Sequence, residues 1–260
     1  MDVVVAILAK DKAYCLDFYL RCLLNQTFSK KRTHLYIRTN DNNDSTAEKL
    51  DRFVSKYASD YASVFYSKES ISEEIKSFSE HEWNKKRFDI LARIRQDSVD
   101  HAKRLNSHYF VVDCDNFIVP TTLQSMYDSR HLGVVAPMLK KSDSEYYANY
   151  HYAVDSDGYF ENSDMYTNIV VRSVIGKIEV AVVHCTYFIN NSLLDLVNYS
   201  DDTGRHEYVV FSECLRNNFV PQYIDNTKYY GFLYLGDPVG FRKKVTNEWS
   251  SEIKSQFKLF

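Results

Sequence analysis

The chain has 260 residues, 45% of them hydrophobic, and a formal net charge of −3, which leaves room for one α/β domain, or two small ones, with a large core. The slight negative balance, with no basic stripe, argues against a nucleic-acid binder, and no run approaches the ~20 apolar residues of a membrane span. Five cysteines at irregular spacing (Cys15, Cys22, Cys114, Cys185 and Cys214) form neither a disulfide framework nor a zinc pattern and are expected to be reduced and mostly buried.

Met1–Ala9 runs into Lys10-Asp11-Lys12 with neither a basic start nor a cleavage site, so no export signal is read and a cytoplasmic location is expected. Val3–Leu8 is a β-branched run of the kind found in a central parallel strand. Ala13–Leu24 follows as a helix with Leu16, Tyr19, Leu20, Leu23 and Leu24 on one face. Leu35–Arg38 is a second strand, and the polar cluster Thr39–Thr46 is a loop that caps a helix of about Ala47–Tyr57. Val64–Tyr66 is a short third strand, and Lys68–Glu82 is charged and indistinct. Trp83–Leu105 reads as a long helix, with Phe88, Leu91, Ala92, Ile94, Val99 and Ala102 close to a 3.6-residue period. The order β-α-β-α-β-α-β predicts a parallel sheet with right-handed crossovers.

The last strand of that series is Tyr109–Phe117, YFVVDCDNF. Four apolar residues run straight into two aspartates one residue apart. On extended chain, side chains two apart point the same way, so Asp113 and Asp115 are expected to face one ligand. Ligands of open α/β sheets bind beyond the carboxyl ends of the strands. Two hard oxygen donors there suit a divalent cation that keeps several waters and bridges to phosphates, which points to a nucleotide-diphosphate site. A D-x-D triplet alone arises easily by chance in a chain this rich in aspartate, and the chain holds a second one, Asp155-Ser156-Asp157. No hydrophobic strand precedes that copy and Gly158 follows it, so it reads as a turn.

The second half changes character. Val134–Met138 and Val180–His184 read as strands, with Tyr187–Ile189 continuing the latter. Lys140–Tyr166 is polar and aromatic, Tyr208–Arg216 reads as a helix and Phe219–Ile224 as a strand. With no linker in view, the chain is expected to be a single domain, with a nucleotide-sugar-binding half at 1–118 and an acceptor-side half at 119–260. Gly and Pro are scarce while Tyr, Asn, Lys, Ser and Asp are plentiful, a bias typical of an A+T-rich genome. The many tyrosines also suit a groove that handles sugars or peptides.

Several of these stretches carry a resemblance. Trp83-Asn84-Lys85-Lys86-Arg87-Phe88 followed by Asp113-Cys114-Asp115-Asn116-Phe117 is similar to the W-x-x-x-R-F … D-x-D-N-F progression of procollagen galactosyltransferases, in their N-terminal glycosyltransferase module. Val135–Leu139 resembles their V-A-P-M-L strand, Val183–Phe188 their V-H-S-T-F, and Tyr230-Gly231 their closing H-Y-G. The likeness runs through nearly the whole chain in order. It implies a GT-A fold, an α/β architecture with a Rossmann-like half, and use of a UDP-sugar with Mn²⁺ (or Mg²⁺). The implied reaction is inverting transfer of a hexose, galactose or glucose, to hydroxylysine in a collagen-like protein. The family carries a second, related module downstream, and would place such a chain in the endoplasmic reticulum lumen only as part of a larger exported protein. Its relatives also occur in large DNA viruses that carry collagen-like genes, which fits the composition.

The resemblance assigns roles to residues of this chain. Asp115 is expected to bind the cation, with Asp113 helping the cation or the ribose. Thr39, Asn40 and Asp41 lie where uracil or ribose would sit. Arg87, near the start of the long helix, either pairs with phosphate or is a surface arginine, Trp83 either stacks on a base or sugar or anchors the helix start in the core, and Arg95 is expected to brace the aspartate loop. Asn116 either bonds substrate or holds the loop, and His184 is either near the sugar or a satisfied buried histidine. Glu207 aligns with the second Asp of a family D-D pair, His206 replacing the first. It is the expected general base, with Glu213 as the fallback. Tyr229 stands where the family has the histidine before Tyr-Gly. These two replacements favour a catalytically silent, glycosyltransferase-like binding module as the alternative; the intact D-x-D opposes it. A nucleotidyltransferase is disfavoured because no glycine-rich, basic phosphate loop follows the first strand.

Overall fold

The computed structural model describes residues 1–70, 85–141 and 146–247. The first half alternates as its periodicity dictates: β1 (Val3–Ala9), α1 (Ala13–Leu24), β2 (Thr33–Thr39), α2 (Thr46–Tyr57), β3 (Ser63–Ser67), α3 (Lys85–Arg104) and β4 (His108–Val112). β1 pairs in parallel with both β2 and β4, and β2 with β3, as the β-α-β order requires. Along β1 the side chains alternate between two cores. Val3, Val5 and Ile7 join Leu16 and Leu20 of α1 and Leu50 and Phe53 of α2. Val4 and Ala6 join Ala92, Val99 and Ala102 of α3 on the other face. A strand covered on both faces must be apolar throughout, hence the unbroken apolar run Val3–Ala9. Each fully buried Val, Leu, Ile or Phe among them contributes roughly 1.5–3 kcal/mol.

The chain continues through β5 (Asn116–Ile118), α4 (Thr122–Asp128), β6 (Val134–Pro137), β7 (Lys140–Lys141), β8 (Tyr150–His151), β9 (Ala153–Val154), β10 (Phe160–Glu161), α5 (Asp164–Val170), β11 (Lys177–Val180), β12 (Val182–Val183) and β13 (Thr186–Ile189). It ends in α6 (Glu207–Asn217), β14 (Gln222–Asp225), β15 (Gly231–Leu233) and α7 (Pro238–Asn247). The main sheet has the order β11-β14-β6-β13-β4-β1-β2-β3. β13 lies antiparallel between β4 and β6, and β14 is parallel to β6. The second half therefore extends the parallel sheet of the first into a mixed one. A small sheet, β5-β15-β7, stands beside the aspartates.

Three sequence expectations need correction. Val180–His184 and Tyr187–Ile189 are not one strand. β11 pairs with β14 at the sheet edge, β12 pairs with β8 in a separate ribbon, and β13 pairs with β4. The break before β13 is Cys185, whose φ of +63° is left-handed and cannot continue a strand. The strand expected at Phe219–Ile224 begins only at Gln222, because Phe219 is also left-handed (φ +57°) and closes α6. Finally, Asp113 and Asp115 do not sit on extended chain. The strand stops at Val112, and Asn116 N–H donates to Asp113 C=O at 2.9 Å, so the aspartates occupy a tight turn. By contrast, Asp155–Gly158 is the turn expected of it, with Gly158 at φ +85° joining β9 to β10.

Gly231 explains itself in space. A Cβ there would lie 2.0 Å from the Phe117 carbonyl oxygen, and its φ is +133°. Only glycine lets β15 approach the strand that follows the aspartates.

Candidate active site

The aspartate turn is pinned from every side. Asp113 N–H donates to the carbonyl of left-handed Cys185 at 3.0 Å, and Tyr234 N–H to the Asp115 carbonyl at 2.9 Å. Buried Asn116 donates from Nδ2 to Thr186 Oγ1 at 2.7 Å; of its two expected roles the structure shows the loop-holding one. Tyr19, fully buried on α1, donates its hydroxyl to the Val112 carbonyl at 2.8 Å. A turn held this way presents two carboxylates in fixed positions with little entropy left to lose.

Each carboxylate has its own cation. Arg95 Nη2 reaches both oxygens of Asp113 at 3.1 and 3.2 Å, while its Nε donates to Glu207 Oε1 at 3.1 Å. Arg95 therefore braces the aspartate turn, and also binds the expected base to it. Burial is the largest single influence and disfavours the guanidinium charge, but Asp113, Tyr187, Glu207 and Tyr109 together outweigh it and the pKa rises well above its ordinary value. Burial pushes the Asp113 carboxyl up, and Arg95 only partly offsets it. Asp115 Oδ2 is held by Lys12 Nζ at 2.8 Å. Glu207 is buried at the first turn of α6, where Arg95 and the helix N-terminus both put positive potential against it. Glu213, the fallback, is engaged elsewhere, by Arg205.

His184 is buried, with its Nδ1 2.9 Å from Cys185 Sγ. Burial first, then His151 and Arg95, lower its pKa to about 3, so the imidazole is neutral at physiological pH. Around it lie rings that no spacing in the sequence advertises: His151 at 5.3 Å, Tyr208 at 5.4 Å and Tyr147 at 6.2 Å between centroids. His206 packs on Phe88 of α3 at 4.0 Å.

The β2 end is a self-contained loop. Buried Thr39 accepts from Asn42 Nδ2 at 2.7 Å, and Asp41 (φ +44°) accepts from Asn40 Nδ2 at 3.3 Å and Ser70 Oγ at 2.6 Å. It is tied to the β1–α1 loop by Asp11 N–H to Asn42 Oδ1 at 3.0 Å and Lys12 N–H to Thr46 Oγ1 at 2.8 Å. Arg87 is half-buried on the first turn of α3. Trp83 lies outside the described residues, as does most of Lys68–Glu82. The sequence reading missed Lys12; its signal was a lysine just past the end of the first strand.

Among the described residues no group of three or more His, Cys, Asp or Glu side chains is arranged to hold an ion. Two carboxylates on one turn do fit a hard cation that brings its own oxygen ligands, as Mg²⁺ does with phosphates. Beside them, Arg95 Nη1 and His184 Nε2 are buried without a partner among the described residues, a setting that suits an oxygen-rich ligand. No described helix is long and apolar enough to cross a membrane. All five cysteines are free and Cys15, Cys22 and Cys114 are buried.

Comparison with known proteins agrees with this architecture. S. aureus TarS, in a crystal structure with UDP-GlcNAc, superposes with a TM-score of 0.59 at 15% identity, over 91% of this chain and 59% of that one. The mannosyltransferase PcManGT of Pyrobaculum calidifontis, solved with GDP-Man and Mn²⁺, gives 0.50 at 11% identity, over 90% and 56%. The fold is thus GT-A-like. A glycosyltransferase 25 family member of Anopheles gambiae is 28% identical over 244 residues, 89% of this chain and 41% of the relative. Mouse procollagen galactosyltransferase 2 is 27% identical over 244 residues, 89% and 38%. Mouse inactive glycosyltransferase 25 family member 3 is 30% identical over 194 residues, 72% and 32%. The chain spans about two fifths or less of the length of these relatives. The family model described as the N-terminal domain of glycosyltransferase family 25 matches residues 1–256, and the chain therefore belongs to that family.

Proposed function

We propose that this chain is a metal-dependent glycosyltransferase module that moves a hexose, galactose or glucose, from a UDP-sugar to a protein hydroxyl, with inversion. Hydroxylysine in a collagen-like sequence is the proposed acceptor, by analogy with the procollagen galactosyltransferase among its relatives. The observation that carries the reading is one guanidinium holding Asp113 and Glu207 together. It sets a carboxylate fit for a cation–diphosphate next to a carboxylate fit to take a proton, the two functions a single displacement at C1 needs.

In this reading Asp113 and Asp115 hold Mn²⁺ or Mg²⁺, which when bound neutralises charge growing on the leaving diphosphate. Thr39, Asn40 and Asp41 receive the uridine, Arg87 a phosphate, and His184 lies against the sugar as a neutral imidazole. Glu207 removes the acceptor hydroxyl's proton as that oxygen attacks. Residues 1–118 serve the donor and 119–260 the acceptor.

Thermal melting with UDP, with and without Mn²⁺, tests the donor site. At a hundred times Kd a ligand of the folded state adds about 2.7 kcal/mol, a rise of roughly 5–10 °C at this size. Release of UDP from a UDP-sugar panel, abolished in Asp113→Ala and Asp115→Ala, tests the chemistry. A silent binding module is the second reading. It is favoured by Tyr229 in place of the family's histidine, by His206 in place of an aspartate, and by inactive relatives at similar identity. UDP binding without hydrolysis or transfer of any sugar would decide for it.

A further inference from the structure

Lys12 occupies a position where local rules disfavour lysine. It is the N-cap residue of α1 and makes no side-chain cap. Ser, Thr, Asp and Asn are the residues that cap there, and the positive end of a helix repels a cation. Violations of this kind collect at functional sites. Its backbone is latched to the loop after β2: Lys12 N–H donates to Thr46 Oγ1 at 2.8 Å, and Ala13 N–H to Asp44 Oδ2 at 2.9 Å. From that fixed base the side chain crosses to Asp115 Oδ2, 2.8 Å away, with 30% of its surface still open to solvent. An ammonium therefore sits on the carboxylate that the proposed function gives to the cation. An ammonium and a divalent cation on one carboxylate repel each other at close range, and lysine's flexible four-carbon stem allows the point charge to move while the backbone stays.

We propose that Lys12 is an exchangeable counter-ion: it holds Asp115 in the free protein, then turns to a diphosphate oxygen when a cation–nucleotide complex takes the carboxylate. This rests on the UDP-sugar reading above. With Lys12 on Asp115 and Arg95 on Asp113, each of the two carboxylates already faces a cation, so a bare divalent cation gains less there than it would beside free carboxylates. A cation arriving with a diphosphate brings the negative charge that Lys12 needs as its new partner.

The test compares wild type, Lys12→Met and Lys12→Arg for two affinities. One is Mn²⁺ alone, read from the electron paramagnetic resonance of free Mn²⁺. The other is UDP at saturating Mn²⁺, read by calorimetry with uridine as control. Lys12→Met is expected to bind Mn²⁺ alone more tightly, and UDP–Mn²⁺ more weakly, each by roughly tenfold or more. Uridine affinity stays unchanged, and Lys12→Arg recovers part of the UDP affinity. Unchanged UDP affinity in a folded Lys12→Met overturns the proposal and leaves a plain ion pair. The wild-type protein offers a second readout if the variant does not fold. The ¹⁵N ammonium resonance of Lys12 must shift with Mg²⁺–UDP and stay put with Mg²⁺ alone, and a resonance indifferent to both sinks the idea. Wild type that binds no UDP–Mn²⁺ at all fails the donor-site reading itself, and this inference with it.

Discussion

Arg95 on α3 donates from Nε to Glu207 on α6 at 3.1 Å, across 112 positions of sequence. The same side chain holds Asp113, so one cation stabilises two carboxylates taken largely out of water. Breaking such a set leaves uncompensated charge. Arg95→Met is expected to cost roughly 3 kcal/mol or more, read as a lower urea midpoint. Arg95→Lys, a point charge without the fork, recovers only part of it. A midpoint within experimental scatter of wild type would show that the trio is solvated in solution.

Glu207→Gln keeps the shape and an oxygen for Arg95 while removing the proton acceptor. Sugar transfer should fall by about 10²–10⁴-fold in kcat, with KM for the UDP-sugar close to wild type. A loss confined to KM would make Glu207 a binding group, and would move the search for the base elsewhere.

Asn149 is fully buried and ties three segments together. Its Oδ1 accepts from Leu139 N–H at 2.7 Å, and its Nδ2 donates to the carbonyls of Pro137 and Thr186 at 3.0 and 3.2 Å. Asn149→Ala strands these backbone groups without water, at about 1–3 kcal/mol each. We expect a loss of roughly 3 kcal/mol in urea unfolding, and weaker UDP binding, because Thr186 also anchors Asn116. Retained stability would mean that water replaces the amide.

Three buried histidines should make stability fall on acidification. Burial, the largest cause in each case, lowers His108 and His151 to about 4 and His184 to about 3, against an ordinary 6.5. Below about 6.5 the unfolded chain takes up protons that the fold refuses until pH 3–4. Stability is therefore complete above that point and declines as pH drops through the window. Between pH 7 and 5.5 each histidine accounts for on the order of 1 kcal/mol. Thermal melts across that range should fall by roughly 6–12 °C. Asp113, whose pKa is raised by burial, works in the opposite direction. A flat profile from pH 7 to 5.5 contradicts the neutral assignment of these imidazoles.

Where chain order and periodicity suffice, the sequence is a sound guide. Short apolar runs with helical stretches between them specify β1 to β4 and their parallel pairing, most plainly at β1, which is covered on both faces and has no place for a polar residue. The apolar run into Asp113 likewise marks the carboxyl end of the interior strand where the site is built. The presentation of the aspartates is another matter. They stand on a turn rather than on a strand, and what reads as one strand is three pieces, interrupted at Ala181 and again at left-handed Cys185. Both facts depend on which strands become neighbours. That Arg95 braces the aspartate turn is an expectation of the sequence, but its second hold on Glu207, and the pairing of Lys12 with Asp115, follow from no local pattern. A salt bridge has no period, and its partners are chosen by the crossing of distant elements in a buried space that tolerates no unpaired charge.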